Sequence, residues 1–400
     1  MSKMTNKELL EKAVITTDAI AASGKLNPAQ ADKFIDYVFD LTGLSGKVRT
    51  VKFRNEQLDI DKINVGKRVA MPKKEAQDPG RRRGVTTSKV SLNPKEIMLP
   101  VEISDTFLDI NLEGADVEDH IMQMFAKQFA NDLEELYIDG DTLEPARISD
   151  DIEDDGDLVN AVKDTYMGLT DGWLKLARGG NILDVNGANI SSTVFSNMLN
   201  AIPEKYKKNK KDMKFFLPTT LEQNYRLATS NRDTAGGDQA LNSMNNLTPF
   251  GMELVPVSLL STTPRCTEHK ALTAVDTIQL LHKNIVTGSE IVVPVTIGLN
   301  KVVPYVEGVD YTMDYVNGTI TRINAAGIAA GATVKITYQS ESLIMLTNYM
   351  NLIIGVGKDI RIEKDRDIYK GVNQYAITAK VSAQIENLEA IVLAKNVGIN

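Results

Sequence analysis

Cysteine is nearly absent from this 400-residue sequence, which contains only Cys266. A single thiol excludes an internal disulfide framework and a metal site built from several thiolates. The three histidines, His120, His269 and His282, lie far apart and leave little for imidazole chemistry. No apolar run approaches the ~20 residues of a membrane span, and the first 25 residues lack the apolar centre of a signal peptide. These absences predict a soluble intracellular protein that is not a metalloenzyme.

Complete catalytic and cofactor-binding motifs are missing as well. Residues 355–360 begin like a dinucleotide-binding fingerprint, but Ile360 stands where the third glycine is required. Residues 151–162 begin like a calcium loop, yet Val162 replaces the bidentate glutamate of the last position. The sequence has no His-Glu-x-x-His zinc motif and no nucleophile elbow. We therefore predict no catalytic, cofactor-binding or metal-binding residues, and a protein that is not an enzyme.

Charge is distributed unevenly along the chain, although its net value is only −8. Residues 49–95 contain 13 lysines and arginines against 5 acidic residues, a net charge of +8. Residues 101–157 contain 19 acidic residues against 2 basic ones, a net charge of −17. Blocks of this kind are most often solvated faces. The acidic total argues against a general nucleic-acid-binding protein.

The first half of the chain combines helical signals with one long basic segment. Its 400 residues amount to two or three domains of average size. Residues 8–22 and the stretch after residue 27 show helical patterns, and residues 115–138 predict one long amphipathic helix. Between them the basic block lies in a long hairpin or loop with few residues for a core of its own. Because an isolated two-stranded ribbon is marginal in water, such a segment makes sense if another chain supports it.

The second half predicts a mixed α/β body with a β-rich insertion. Residues 158–176 are helical in pattern, and residues 213–218 predict a strand followed by a helix at 219–228. Residues 266–340 are rich in Val, Ile, Thr, Tyr and Gly. Within them, residues 310–323 predict a hairpin whose two-residue turn is Asn317-Gly318. We interpret this region as a small all-β module.

Five segments in a fixed order carry a resemblance to one protein family. They are LNPAQADKFIDYVFDLTGLSGKVRTVKF (26–53), LPVEISDTFLDINLEGADVEDHIMQMFAKQFANDLEELYIDGD (99–141), FFLPTTLEQNYRL (215–227), FGMELVPVSLL (250–260) and LTNYMNLIIGVGKDIRIEKDRDIYKGVNQYAITAKVSAQIENLEAIVLAKNV (346–397). In this order they resemble parts of the major capsid proteins of tailed bacteriophages, which have the Hong Kong 97-type fold. The resemblance covers most of the chain, and residues 266–340 depart from a minimal subunit of that family.

The resemblance implies an α+β fold of the Hong Kong 97 type with an inserted small all-β domain. The expected parts are an N-terminal arm at 1–47, an extended β-hairpin loop at 48–100, a peripheral domain at 101–190 and 341–400 with its spine helix at 115–138, an axial domain at 191–265 and the inserted β domain at 266–340. Because insertions on surface connections are well tolerated, we expect the inserted domain to lie outside the shell.

The resemblance also implies a function and a set of partners. The chain is expected to be the major capsid protein of a tailed double-stranded DNA bacteriophage, self-assembling into the icosahedral shell that encloses the genome. Its expected partners are copies of itself as pentamers and hexamers, scaffolding, portal and decoration proteins, and packaged DNA through weak interior contact, with no membrane and no cofactor. It is expected in the virion, and in the host cytoplasm during assembly.

The family gives the two charge blocks a role between subunits. In this fold the extended loop lies over a neighbouring subunit near its spine helix, so the basic block of one copy is expected to meet the acidic block of the next. The expected interface cations are Lys67, Arg68, Lys73, Lys74, Arg81, Arg82 and Arg83. The expected interface acids are Glu113, Asp116, Glu118, Asp119, Glu134 and Glu135.

Three alternatives remain open from the sequence. An encapsulin-like nanocompartment shares the fold but encloses cargo enzymes, and the length and the inserted module argue against it. A phage tail or baseplate structural protein, suggested by the β module alone, would form stacked rings or tubes. A hydrolytic enzyme with an unrecognised site would be a monomer or small oligomer with a substrate-dependent activity.

Overall fold

A computed structural model of the chain describes residues 14–15, 43–53, 57–64, 86–105, 117–148, 161–230, 247–272, 277–295, 302–323 and 327–398. The strands are β1 (Val14–Ile15), β2 (Arg49–Lys52), β3 (Leu58–Asn64), β4 (Thr86–Leu92), β5 (Lys95–Ser104), β6 (Ala146–Ile148), β7 (Ala161–Lys163), β8 (Asn181–Asp184), β9 (Met213–Leu217), β10 (Glu253–Pro256), β11 (Arg265–Leu272), β12 (Ile278–Gln279), β13 (Ile291–Pro294), β14 (Tyr311–Asp314), β15 (Thr319–Arg322), β16 (Ala332–Gln339), β17 (Ser342–Asn348), β18 (Leu352–Asp367), β19 (Val372–Ile385) and β20 (Val392–Val397). The α-helices are α1 (Val117–Asp139), α2 (Trp173–Ala177), α3 (Ser192–Ala201) and α4 (Thr219–Ser230), and 3₁₀ segments lie at Glu204–Asp212, Pro249–Gly251, Tyr349–Asn351 and Leu388–Ala390.

A five-stranded peripheral sheet has the strand order β1-β5-β19-β18-β2. Its centre is antiparallel, and the short strands β1 and β2 add in parallel at the two edges. The helix predicted at 8–22 is wrong at Val14 and Ile15, which pair with Glu102 and Ile103 of β5. Pairing with an open strand edge overrides the local helical pattern there, because β-branched residues fit a pleated strand. The rest of residues 1–42 lies outside the described residues.

The long helix α1 shares one hydrophobic cluster with the peripheral sheet. The helix predicted over 115–138 is confirmed at Val117–Asp139. Its buried face includes Phe129, Leu133 and Leu136, which belong to the same cluster as Ile103 and Ile377 of the sheet. Each fully buried side chain of this size stabilises the fold by about 1.5–3 kcal/mol. Burial of this face holds the helix against the sheet.

The chain after α1 differs from the helix predicted over 158–176. The structure has β7, a series of turns, and only the five-residue helix α2 in this stretch. Gly172 donates its N–H to the Gly140 carbonyl at 2.7 Å, and Asp141 donates to the Met167 carbonyl at 2.8 Å. A Cβ on Gly140 would lie 2.4 Å from the Thr170 carbonyl oxygen, so glycine is required at this crossing. The prediction is wrong because these contacts with the end of α1 pull the segment out of a helix.

A second five-stranded sheet, the axial sheet, has the order β10-β9-β17-β20-β8. The strand predicted at 213–218 and the helix predicted at 219–228 are confirmed as β9 and α4. On one face, Phe195 packs edge-on against Phe215 and Tyr225, with ring centroids 4.7 and 5.0 Å apart. On the other face, Phe216 joins the cluster that contains α1. Because successive side chains of β9 point to opposite faces, this strand contributes to both hydrophobic clusters and connects the two sheets.

Residues 265–339 form two three-stranded sheets, β11-β16-β13 and β12-β15-β14. They enclose a separate hydrophobic cluster that includes Val292, Ile320, Ile336 and Tyr338. We call this region the insert. Its extent agrees with an α+β fold that carries a small all-β insertion.

The hairpin of the insert has a longer turn than predicted. Asp314 pairs with Thr319, so the loop contains four residues rather than the two-residue Asn317-Gly318 turn. The Asp314 carboxylate accepts hydrogen bonds from the backbone N–H groups of Val316 at 3.1 Å and Asn317 at 3.0 Å. Side-chain bonds of this type offer the backbone an alternative to strand pairing. They extend the loop by two residues, Tyr315 and Val316, on the N-terminal side of the predicted turn.

Polar contacts join the insert to the body. The ammonium group of Lys335 donates to the Glu144 carbonyl at 2.8 Å, and the backbone N–H of Ala146 donates to Thr337 Oγ1 at 3.0 Å. On another side Lys395 of β20 donates to the Leu281 carbonyl. Lys335, Thr337 and Ala146 are buried. A buried polar group needs its partner, so the insert is fixed in orientation at these points.

Candidate subunit interface

Strands β3 and β4 form a two-stranded ribbon beside the peripheral sheet. Their antiparallel register runs from Leu58 opposite Leu92 to Asn64 opposite Thr86. Among the ribbon side chains that the structure describes, only Leu92, at the base, is buried. Two strands without a core are marginally stable alone. The ribbon therefore presents surface that another protein surface can cover.

The base of the ribbon packs at one glycine of the peripheral sheet. The backbone N–H of Phe53 donates to the Val356 carbonyl at 3.1 Å. A Cβ on Gly355 would lie 2.6 Å from Ser382 Oγ, 3.2 Å from Phe53 Cε1 and 3.3 Å from Leu92 Cδ1. The missing side chain of Gly355 thus leaves room for both ends of the ribbon to reach the sheet.

The seven predicted interface cations belong to the segment between the two ribbon strands, which we call the basic loop (residues 65–85). β3 ends at Asn64 and β4 begins at Thr86, at the end of the ribbon opposite its base. The cations themselves lie outside the described residues: Lys67, Arg68, Lys73, Lys74, Arg81, Arg82 and Arg83. The connectivity agrees with the prediction, and their contacts stay a prediction.

Four of the six predicted interface acids belong to the region around the start of α1. Glu113 and Asp116 lie outside the described residues. Glu118 and Asp119 are in the first turn of α1, where only the backbone is described. Negative charge near a helix N-terminus is favoured by the helix dipole. The contacts of these four carboxylates stay a prediction.

Carboxylates crowd the C-terminal half of α1. Glu135 is exposed, and its pKa is raised by partial desolvation and then by the neighbouring Asp132 and Asp164 carboxylates. The pKa of Asp139, one turn later, is raised to about 7 by burial and then by Glu135. These like charges disfavour one another, so a cation placed beside them would be stabilising. The structure thus gives Glu135 a surface position that fits its predicted role.

The side chain of Glu134 faces the interior, unlike that of Glu135. Its side chain is completely buried and accepts hydrogen bonds from the backbone N–H groups of Gly43 and Leu44 at 2.9 Å and of Ser45 at 3.1 Å. Successive residues of an α-helix are rotated by about 100°, so one of two adjacent acids faces inward. The structure removes Glu134 from the set of acids that can meet a neighbouring subunit.

The turn of the β18–β19 hairpin is an exposed apolar surface that sequence reasoning missed. Ile368 is 80% exposed and Tyr369 is fully exposed, and Ile362 is half exposed. Gly371 turns the chain with a φ of 64°, and its carbonyl accepts the N–H of Asp105 at 2.9 Å. Contiguous exposed apolar surface is typical of contact sites, and the adjacent side chains of Ile368 and Tyr369 make this turn a candidate for one. The signal in the sequence is an Ile-Tyr pair inside a turn, where polar residues are expected.

The single thiol of the chain is buried, and two polar residues that line a cavity are hydrogen-bonded to each other. Cys266 is buried, and burial raises the pKa of its thiol to about 11. A cavity of about 370 Å³ is lined by residues such as Tyr206 and Asn387, which are hydrogen-bonded to each other at 2.6 Å. Among the described residues, no group of three or more potential ligands could hold a metal ion, and no helix is long and apolar enough to cross a membrane. The candidate functional surfaces are the exposed ribbon, the tip of the β18–β19 hairpin and the acidic face, by which we mean the outward-facing carboxylates of α1 such as Glu135.

Comparisons with known proteins agree with this architecture. No protein-family model matches the chain. A putative prophage capsid protein of Bacillus subtilis (strain 168), YqbE, is 25% identical over 390 residues, which is 97% of this chain and 97% of the relative. The procapsid of satellite phage P4 matches with a TM-score of 0.51 at 10% identity, covering 98% of both chains. The SrpI encapsulin complex of Synechococcus elongatus PCC 7942 matches with a TM-score of 0.50 at 7% identity, covering 96% of this chain and 97% of that one.

These matches confirm the fold class predicted from the five segments. The two solved structures extend over nearly the whole chain; one is described as a procapsid and the other as an encapsulin complex. At these identities they show the fold alone. The sequence match to the Bacillus protein confirms the resemblance over the same length.

Proposed function

We propose that this chain is the major capsid protein of a tailed double-stranded DNA bacteriophage, self-assembling into the icosahedral shell that encloses the genome. The observation that carries the proposal is the sequence match to a prophage capsid protein over 97% of both chains, on a chain with a shell fold. The function is structural: the chain contributes surfaces that fit other copies. Catalytic chemistry has no part in it.

The described surfaces of the subunit support this role. The ribbon has no core of its own, and the tip of the β18–β19 hairpin exposes Ile368 and Tyr369. Both features leave apolar surface exposed to water, and burial of such surface is favourable by roughly 25 cal/mol per Å². Contact with neighbouring copies would bury this area, so the subunit completes its packing by assembling.

The contacts are arranged as closed rings of five and six copies. A head-to-tail contact between identical chains generates a ring when its rotation closes. In an icosahedral shell, pentamers and hexamers place the same chain among slightly different neighbours. The ribbon supplies the adjustment, because it attaches to the body at its base.

The basic loop of one copy meets the acidic face of the next. Its cations, Lys67 to Arg83, contact the carboxylates around α1 that face outward, with Glu135 as the described member of that set. Exposed ion pairs contribute only ~0–1 kcal/mol each. The charges therefore set the register and rate of association, and apolar burial supplies most of the free energy.

The domains predicted from the sequence are retained in this proposal, with boundaries that follow the two sheets: β2 and β5 belong to the peripheral sheet, and β8, β17 and β20 belong to the axial sheet. The separate cluster of Val292, Ile320 and Ile336 supports an inserted domain at 266–340. The cluster of Phe195, Phe215 and Tyr225 supports an axial domain around 191–265, and this cluster also includes Ile344 of β17 and Val392 of β20. We place the insert outside the shell. Scaffolding, portal and decoration proteins are further partners of the subunit as a whole.

The acidic net charge of −8 keeps contact with packaged DNA weak, since phosphate binding depends on lysine and arginine. The protein resides in the virion after it has assembled in the host cytoplasm.

Electron microscopy of the purified full-length protein, with and without a co-expressed scaffolding protein, tests the function. We expect closed polyhedral shells. Stacked rings or tubes would indicate a tail protein instead. Shells that co-purify with a cargo enzyme would indicate an encapsulin. Monomers under all assembly conditions would overturn the shell proposal.

Charge reversal tests the interface. The triple variant Arg81→Glu, Arg82→Glu, Arg83→Glu is expected to slow assembly at least tenfold at low salt and to abolish its salt dependence. Adding Glu135→Lys to the triple variant is expected to restore part of the rate by restoring an attractive pair. Light scattering at several salt concentrations measures both effects. A triple variant with wild-type kinetics and salt dependence would contradict the proposed contact.

A further inference from the structure

The β18–β19 hairpin has an exposed apolar tip at one end and a cavity at the other. The tip presents Ile368 and Tyr369, which are 80% and fully exposed. At the base, the cavity of about 370 Å³ is lined by residues just before β18 and just after β19, among them Met350 and Asn387. Because β18 spans the 16 residues Leu352–Asp367, the tip and the cavity lie about 50 Å apart at about 3.3 Å per residue. A subunit therefore cannot place its own tip in its own cavity.

Hydrogen bonds fix the shape of the tip within one subunit. The carboxylate of Asp367 accepts the backbone N–H groups of Tyr369 at 3.0 Å and Lys370 at 3.2 Å. The N–H of Gly371 donates to the Asp367 carbonyl at 2.9 Å, and the Gly371 carbonyl accepts the N–H of Asp105 just after β5. A turn that is ordered before binding loses little conformational freedom when it binds, which favours affinity.

The cavity is also formed within one subunit. Polar side chains of its wall bond to one another: Asn387 donates its side-chain amide to the Tyr206 hydroxyl at 2.6 Å and its backbone N–H to Asn351 Oδ1 at 2.8 Å. Met213 and Met350 line the same cavity, the first buried and the second 59% exposed. The volume lies within the roughly 300–1,000 Å³ of pockets that hold small ligands. The two methionines thus give a preformed pocket an apolar surface.

An aromatic side chain is the group that fits this lining. Thioether sulfur makes favourable contacts with aromatic rings, and flexible methionines adapt to an irregular partner. Tyrosine adds a hydroxyl group that can bond to polar side chains of the wall. Among the described residues, Tyr369 is the most exposed of the large apolar side chains. Every copy of the chain therefore carries both a matching tip and a matching cavity.

We propose that Tyr369, with Ile368 beside it, inserts into the cavity lined by Met213 and Met350 on a second copy of this chain. This inference rests on the proposed assembly into a shell and names two surfaces that meet. Tip and cavity are different patches at opposite ends of one hairpin, so the contact is head-to-tail, and contacts of this type generate rings when their rotation closes. The adaptable methionines allow the same contact between the slightly different neighbours in rings of five and six copies.

Tyr369→Ala in the full-length chain tests the tip. A tyrosine buried in a pocket is a typical anchor of an interface, so light scattering should show assembly slowed by about tenfold or more. Thermal unfolding of unassembled subunits should not change, because the side chain is fully exposed. Tyr369→Phe keeps the ring and should assemble within about twofold of the wild type. Val316→Ala, the control at an exposed position of the insert, should assemble normally. A wild-type rate for Tyr369→Ala would overturn the inference.

Met350→Asp tests the cavity, because it places a charge on the apolar part of the wall. Alone, this substitution is expected to slow assembly about as much as Tyr369→Ala does. If both substitutions disrupt one contact, the double variant should be no slower than the slower single variant, since residues in contact have non-additive effects. Two effects that multiply in the double variant would show that the residues meet different partners, and the inference would be wrong.

Cross-linking with a short bismaleimide identifies which surfaces meet. Cys266 is buried, so thiols introduced on the surface are the ones that react. Lys370→Cys lies next to the tip residue Tyr369, and Lys205→Cys lies at the edge of the cavity. The double variant should give a ladder of covalent multimers that neither single variant gives.

The outcomes separate this contact from the proposed function. Covalent dimers of Lys370→Cys alone would show that tips meet each other, and shells of the double variant without a ladder would show that the tip meets another surface. Either result overturns the inference and leaves the capsid function in place. A wild type that forms no shells counts against the capsid function, whereas a ladder from concentrated unassembled double variant still supports the contact.

Discussion

The ribbon and the insert are both β-structures that extend from the body, yet they are stabilised in opposite ways. The insert encloses its own cluster of buried residues and is joined to the body by buried hydrogen bonds. The ribbon consists of two strands, and its buried residue among those described is Leu92 at the base. The insert is therefore stable within one subunit. The ribbon lacks such a core, and we propose that a neighbouring copy covers it.

This difference separates folding from assembly along one chain. A substitution in the insert is expected to change the stability of the subunit, whereas a substitution in the ribbon is expected to change the formation of shells. Four predictions test this separation, and they are arranged from the largest expected effect to the smallest.

The core of the insert is expected to show the largest effect on stability. Ile336→Ala removes a completely buried side chain, and it should lower the free energy of unfolding of the insert by about 2–5 kcal/mol. The matched ribbon variant Ile60→Ala should lower stability by about 0.5 kcal/mol or less but reduce the yield of shells. Hydrogen exchange of unassembled subunits measures the first effect and electron microscopy the second. If Ile336→Ala and Ile60→Ala lowered the stability equally, the proposed difference between the insert and the ribbon would be wrong.

Gly355→Ala tests whether the base of the ribbon needs the open space at that position. A Cβ there would lie 2.6 Å from Ser382 Oγ and 3.2 Å from the Phe53 ring, so the crowding should cost about 1–3 kcal/mol and tilt the ribbon. Gly46→Ala is the control, because a Cβ there would meet no atom within 4 Å. Denaturant unfolding and shell yield measure both variants. A variant at Gly355 that assembles as well as the one at Gly46 would contradict the role of this base.

The joint between insert and body is tested by Thr337→Val. The isosteric change removes the acceptor of the Ala146 N–H and leaves a buried donor unsatisfied, which should cost about 1–2 kcal/mol. Thr312→Val, at an exposed site of the same module, should change stability by about 0.5 kcal/mol or less. Thermal unfolding compares the two. If both variants match the wild type, the joint contributes less than its geometry indicates.

The dependence on pH should have opposite signs at the junction between α1 and the insert and at the ribbon. The pKa of Asp139, beside Arg265 at the start of the insert, is raised to about 7 by burial and by Glu135. Between pH 4 and 7 the folded state therefore keeps a proton that the unfolded state has lost, and stability falls as pH rises. Asp139→Asn should flatten this slope and stabilise the subunit at pH 8 by about 1 kcal/mol.

Asp59 in the ribbon gives the matched contrast. Hydrogen bonds from Ser91 and Gln57 lower its pKa, so its contribution is present at neutral pH and is lost as pH falls below 4. Asp59→Asn should remove that contribution and leave the slope between pH 4 and 7 unchanged. Denaturant unfolding across this pH range compares the variants. An unchanged slope in Asp139→Asn would show that Asp139 titrates normally.

Features with a local cause were predictable from the sequence. The period of apolar residues located α1, and a buried strand followed by a helix was correctly placed at β9 and α4. The five-segment resemblance supplied the arrangement of the sheets, which no local pattern contains. It also supplied the functional class.

Features with a long-range cause were not predictable. The segment at 158–176 has helical periodicity, but its hydrogen bonds with Gly140 and Asp141 prevent a helix. Glu134 and Glu135 are identical residues in one acidic run, and the position of α1 in the fold decides which of them is buried. The length of the turn at Asn317-Gly318 has a local cause instead, the Asp314 carboxylate, which the rule for two-residue turns does not take into account.

The way in which the insert joins the body has a consequence for engineering. Its first and last strands are neighbours, with Arg265 opposite Gln339, and the Ser340 N–H donates to the Pro264 carbonyl at 3.1 Å. Residues paired in this way have Cα atoms only about 4.5–5.5 Å apart. The two points at which the body connects to the insert therefore lie close together. A foreign domain whose own termini are adjacent fits the same junction. A shell built from such chimeras would display one copy of that domain for every subunit.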